Sequence, residues 1–134
     1  MALTPKQEAE LEERAAKQLF FNMIVGKMRK QGKPGMHGRV LGLRCPDGSR
    51  CSLGWLITDK FYQAYFETRC PNEVLIDILK MPNLGYQFYD DLQEAHDQSA
   101  RASDWWPAFQ QQMTRLATKH VLNPSSLTQA PVSA

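Results

Sequence analysis

The sequence predicts an α+β fold: a mostly helical single domain over residues 1–122, built from four to five helices and one β-hairpin, with a flexible tail at 123–134. Three observations predict it. Apolar residues recur at helical spacing through the first segment and again through the second half of the chain. A Pro46-Asp47-Gly48-Ser49 turn stands between two short apolar runs. The 134 residues are 43% hydrophobic and 22% charged, enough for one core without disulfides or a metal.

The first helix is predicted over 5–31. Thr4 suits the N-cap, Pro5 the first helical position, and Gln7 completes a capping box. Glu8, Glu10, Glu12 and Glu13 favour the positive end of the helix dipole, and Lys27, Arg29 and Lys30 the negative end. Leu11, Ala15, Leu19 and Met23 recur every fourth residue, and Gly32 and Pro34 end the helix. Leu19 to Val25 is apolar almost all round. Such a stretch is expected to be wrapped by the rest of the domain; the alternative is pairing with a second chain.

The hairpin is predicted over 39–55, around the Pro-Asp-Gly turn, and must pack on helices because a lone hairpin is marginal. Four further helices are predicted over 59–66, 71–81, 86–98 and 104–122. Pro82 and Asn83 stop the second of these, and Pro107 is tolerable in the first turn of the last.

Composition excludes several classes. No apolar run approaches the roughly 18 residues of a membrane span. The N-terminus lacks the basic-then-apolar order of a secretion signal, and three cysteines point to a reducing cytoplasm. Net charge is +2, but it is unevenly placed. Residues 27–50 carry Lys27, Arg29, Lys30, Lys33, Arg39, Arg44 and Arg50 against Asp47 alone, a net +6 in a chain that is otherwise mildly acidic. Such a block can meet phosphates or an acidic protein surface. The competing reading is a solvated face whose charges are paired locally. The block has no interleaved aromatic residues, so stacking on single strands is not indicated.

Cys45, Cys51, Cys70, His37, His96 and His120 are the residue types that hold zinc, but their spacing lacks a close cysteine pair matched by a second one. Small buried hydrophobes is the simpler account of the cysteines. His96 and Asp97 point about 100° apart on a helix, so they are not expected to face each other. A Cys51–His96 dyad would be a matter of spatial meeting. His96 shares a face with Tyr89 and Leu92, which suits a structural histidine. Of Trp105 and Trp106, one is expected in the core; its neighbour either packs as well or stands partly exposed as a candidate partner anchor.

Pro46-Asp47-Gly48-Ser49-Arg50-Cys51-Ser52-Leu53-Gly54-Trp55-Leu56-Ile57-Thr58-Asp59, followed later by Leu92-Gln93-Glu94-Ala95-His96-Asp97 and an amphipathic helix over 103–122, resembles a family of small phage and prophage proteins. Trp55 stands where that family often has another cysteine, and its usual Glu-Gly after the short helix is absent. The resemblance covers roughly residues 40–122 and leaves the first helix outside. It implies a phage-encoded accessory protein of the bacterial cytoplasm, with no assigned activity.

The function expected on these grounds is binding, and inhibiting or redirecting, a bacterial host or defence protein complex through an acidic surface or nucleoprotein. A nucleic-acid-binding protein using residues 27–50 is the alternative, and a small cysteine- or metal-dependent enzyme the third reading. Partner contact is expected at Lys27, Arg29, Lys30, Lys33, Arg39, Arg44, Arg50 and Trp105, with no catalytic, cofactor or metal residues, no membrane, and a monomer or homodimer. Three free thiols and no zinc are expected in the purified protein. Thiol titration with elemental analysis checks this, and stoichiometric zinc would overturn it.

Overall fold

The computed structural model describes residues 2–82 and 84–128. Helix α1 runs from Pro5 to Gln31. Its capping box is complete: the Gln7 amide N–H donates to Thr4 Oγ1 at 3.2 Å, and the Thr4 N–H donates to Gln7 Oε1 at 2.9 Å. Gly32 closes the other end with φ 74°, its N–H donating to the Met28 carbonyl. Phe21, Ile24, Val25 and Met28 form the buried face. Every residue from Ala2 to Ala15 is exposed. The expected wrapping of the apolar stretch is therefore partial, since Leu19 is 66% and Met23 37% exposed.

The β-structure overlaps only the start of the hairpin predicted over 39–55 and pairs with a strand before it. Strands β1 (Met36–His37) and β2 (Val40–Leu41) pair antiparallel, Met36 opposite Leu41, across a turn with Gly38 at φ 62°. The Pro46-Asp47-Gly48 turn does form, with Gly48 at φ 88° and its N–H donating to the Cys45 carbonyl. The runs beside it share two backbone bonds, from the Cys45 N–H to the Ser49 carbonyl at 2.9 Å and from the Cys51 N–H to the Gly42 carbonyl at 3.0 Å, but do not continue as strands, because side chains from distant segments take other donors. Glu67 accepts from the Leu43 and Arg44 N–H groups at 2.9 and 3.2 Å, and Gln31 Oε1 accepts from the Arg50 N–H at 2.8 Å. Leu53–Leu56 then becomes a 3₁₀ turn.

The helix predicted over 59–66 is a 3₁₀ turn at Ala64–Thr68 instead. The helix predicted over 71–81 is shorter. It starts as α2 (Pro71–Glu73) and widens into a π turn at Val74–Ile78, where the Leu79 N–H donates to the Val74 carbonyl at 2.9 Å. The wide turn buries Val74 and Leu75. Asn83, expected to help stop this helix, lies outside the described residues, as do residues 129–134.

Helices α3 (Tyr86–Ser99) and α4 (Trp105–His120) match the sequence pattern closely. They pack on each other and share Phe88, Tyr89, Leu92, Phe109, Met113 and Leu116 with the core. The predicted tail is corrected over its first part. Ser125–Thr128 is a 3₁₀ turn with Leu127 buried against α1 and α4. Gln18 of α1 fastens this end with a pair of bonds: its Nε2 donates to the Asn123 carbonyl at 2.9 Å and its Oε1 accepts from the Asn123 N–H at 2.7 Å.

One close approach fixes the loop after α1 against the turn segment. Gly35 passes so close to the segment after the Pro-Asp-Gly turn that a Cβ there would lie 2.0 Å from the Arg50 carbonyl carbon and 2.2 Å from the Cys51 nitrogen. Gly26, in mid-helix, has nothing within 4 Å of the same position. Gly35→Ala is expected to cost about 3 kcal/mol or more of stability. Gly26→Ala is expected to raise stability by up to about 1 kcal/mol. Urea unfolding of the two variants beside the wild type checks both signs.

Candidate functional site

The last turns of α1 carry Lys27 and Lys30, where the helix dipole favours cations. Lys33 follows in the loop. These three lysines, with Trp55, Asp47 and Ser49, line a groove of about 400 Å³. Trp55 comes from the 3₁₀ turn and reaches the groove because that turn sits against α1. Its indole lies 5.4 Å from the Lys27 ammonium and 4.6 Å from the Arg50 guanidinium, ring centre to cation. Its Nε1 is buried with no hydrogen-bond partner among the described residues. Asp47 is the groove's carboxylate. Lys33 bonds it at 2.7 Å and Ser49 donates to it from both N–H and hydroxyl, which together hold its carboxyl well below the usual range.

The basic residues named from sequence do not all converge. Arg44 and Arg50, named as partner contacts, have largely covered side chains. The two guanidiniums share Asp59 Oδ1, at 2.7 and 3.2 Å, and Arg44 also stacks 4.1 Å from the Tyr62 ring centre. One carboxylate thus offsets half their charge. Arg39 lies with Met36 and Arg101 along a separate hollow, where Arg101 donates to the Arg39 carbonyl at 2.7 Å. Arg29 does not line the groove of Lys27 and Lys30. Trp105 is 9% exposed and stacks on Phe109 at 5.3 Å, with Trp106 beside it. It is a core residue here, and no exposed anchor.

Trp55, Gln31 and Asp59 are the site residues that sequence reasoning missed. The block also has the aromatic neighbours it was read as lacking, since Trp55 and Tyr62 fold onto it from beyond residue 50.

His96 is fully buried. Its Nε2 accepts from the Gly35 N–H at 2.8 Å, so the proton sits on Nδ1 and is donated to Asp97 Oδ1 at 2.8 Å. The expectation that His96 and Asp97 do not face each other is thereby corrected: their Cβ atoms diverge, but the Asp97 carboxylate reaches back to the ring. Gln93 steadies that carboxylate at 3.0 Å. Both imidazole nitrogens are engaged. The Cys51 thiol is pushed up to about 12 by burial, and burial also raises that of Cys45. Among the described residues, no three His, Cys, Asp or Glu side chains are grouped to hold a metal.

His120 ties three helices. Its Nε2 lies 2.8 Å from Asp91 Oδ2 of α3, and its Nδ1 lies 3.4 Å from the Lys17 ammonium of α1. Burial opposes ionisation of Asp91, but the hydrogen bonds from His120, Lys119 and Gln87 outweigh it and hold the carboxyl below its usual range. No described helix is long and apolar enough to cross a membrane.

The fold and groove define a small α+β domain that presents a basic, aromatic-lined groove at the end of a long helix. Set against known families, curated proteins and solved structures, the chain matches none.

The histidine geometry generates a test. His96→Ala removes a fully buried ring and leaves the Gly35 N–H without its acceptor. A loss of about 3 kcal/mol or more is expected in thermal or urea unfolding. A variant as stable as the wild type would contradict the structural role.

Proposed function

We propose that this chain is a phage-encoded accessory protein that binds an acidic surface of a bacterial host or defence protein complex and inhibits or redirects it. The groove of Lys27, Lys30, Lys33 and Trp55 is the contact. The observation that carries the reading is the convergence of three lysines on one groove whose only carboxylate among the described residues, Asp47, is already held by Lys33 and Ser49. A carboxylate from a partner meets the ammonium groups of Lys27, Lys30 and Lys33 there. The resemblance to small phage proteins supports the accessory role. So does the use of the motif residues: Asp47, Cys51, Gly54, Gln93 and His96 are all spent on turns, packing or clamps.

Trp55 favours one second reading, binding of a nucleic-acid strand, because an aromatic ring beside lysines is the usual stacking platform. Its ring is already approached by two cations, which gives the protein surface the advantage.

Capture from bacterial lysate with immobilised wild type, beside a Lys27→Glu/Lys33→Glu variant, tests the proposal. The expected result is a protein retained by the wild type and lost by the variant, with circular dichroism unchanged. Retained DNA or RNA released steeply with salt would favour the second reading. Equal retention by both proteins would make the groove a solvated face.

A further inference from the structure

We infer that α1 pairs antiparallel with α1 of a second copy of this chain, through the row Leu11, Ala15, Leu19 and Met23. The inference is independent of what the groove binds.

The row faces away from the domain. Met28 lies nine residues from Leu19, two and a half helical turns, and so points the opposite way. Met28 is fully buried while Leu19 is 66% exposed. Leu11 and Met23, at 47% and 37%, continue the open row on either side of Leu19. Helix α1 is thus apolar on two opposed faces, and the domain covers one of them.

The N-terminal part of the helix is also unsupported. From Ala2 to Ala15 every residue is exposed. A helical segment of that length is marginal in water without packing, and a complete capping box secures its end only. A second helix laid on the open row supplies the missing packing.

Charge selects the occupant and its direction. Glu8, Glu10, Glu12 and Glu13 occupy the first half of α1, and Lys27, Arg29 and Lys30 the last turns. A parallel pair sets Glu8 and Glu12, each about 20° from Leu19 on the helical wheel, against their own copies. An antiparallel pair sets them against the basic turns of the other copy, and it also opposes the two helix dipoles. With Leu19 facing its own copy at the two-fold axis, Glu8 of each chain falls level with Lys30 of the other. On the helical wheel Glu8 and Lys30 both stand about 20° from Leu19, on the same open side. Lys27 stands about 80° away, toward the groove, so the pair and the groove use adjoining sides of the helix. Ala15 and Gly26 on that side are small enough to let the backbones approach.

Sedimentation of the full chain at micromolar concentration tests the inference. A dimer is expected for the wild type, and Leu19→Glu should weaken association at least tenfold with its helical content retained, since Leu19 is 66% exposed within one copy. Glu8→Lys alone and Lys30→Glu alone should each weaken self-association several-fold, and an equimolar mixture of the two should recover a dimer. Lys27→Glu should leave the dimer in place, which separates this result from loss of groove binding. A monomeric wild type overturns the inference, as does a dimer indifferent to Leu19→Glu. A mixture that fails to recover overturns the antiparallel register.

Discussion

The close passage of the Gly35 backbone over Arg50 and Cys51 is the constraint on which the rest of the structure depends. Two side chains lock it from opposite ends of the sequence. Gln31, the last residue of α1, donates to the Lys33 and Arg50 carbonyls and accepts from the Arg50 N–H. His96, from α3, accepts the Gly35 N–H across a separation of 61 residues. The helix end, the loop after it and the turn around Asp47 therefore behave as one piece. Trp55 and Lys27 keep their places across the groove because that piece does not shear.

The charge of the basic segment is divided by chemistry. Guanidiniums are planar and weakly hydrated, and they tolerate cover. Arg44 and Arg50 are accordingly laid over Tyr62 and Trp55 and share one carboxylate, becoming part of the wall. Ammonium groups are compact and strongly hydrated, and the lysines remain at the water's edge. Counting basic residues overstates the free charge, and residue type says which part of it stays available.

Much of this was legible in the residues themselves. Thr4, Pro5, Gln7 and Gly32 mark the ends of α1 within one residue, and the spacing of Tyr89, Leu92 and His96 or of Phe109, Met113 and Leu116 marks the inner faces of α3 and α4. What escaped depends on distant partners. The hairpin was misplaced because Glu67 and Gln31, 24 and 19 residues away, bond the donors that a ladder would have used. The π turn after Glu73 has no local signature beyond its apolar run. At the site, the lysines were found by composition, but Trp55 sits in a 3₁₀ turn that carries no helical or strand period. Asp59, nine residues past Arg50, lies beyond the edge of the block whose charge it reduces.

The bond pair between Gln18 and Asn123 spans 105 residues. Because the chain is synthesised from its N-terminus, α1 emerges long before Asn123 exists. Closing a loop of that length carries an entropic cost, so this clasp on α1 is fastened late. The inner face of α1 also packs on the 3₁₀ turn at Leu53–Leu56, which leaves the ribosome much earlier. A chain cut short of Asn123 would thus keep that seat and lose the C-terminal clasp that Gln18 provides.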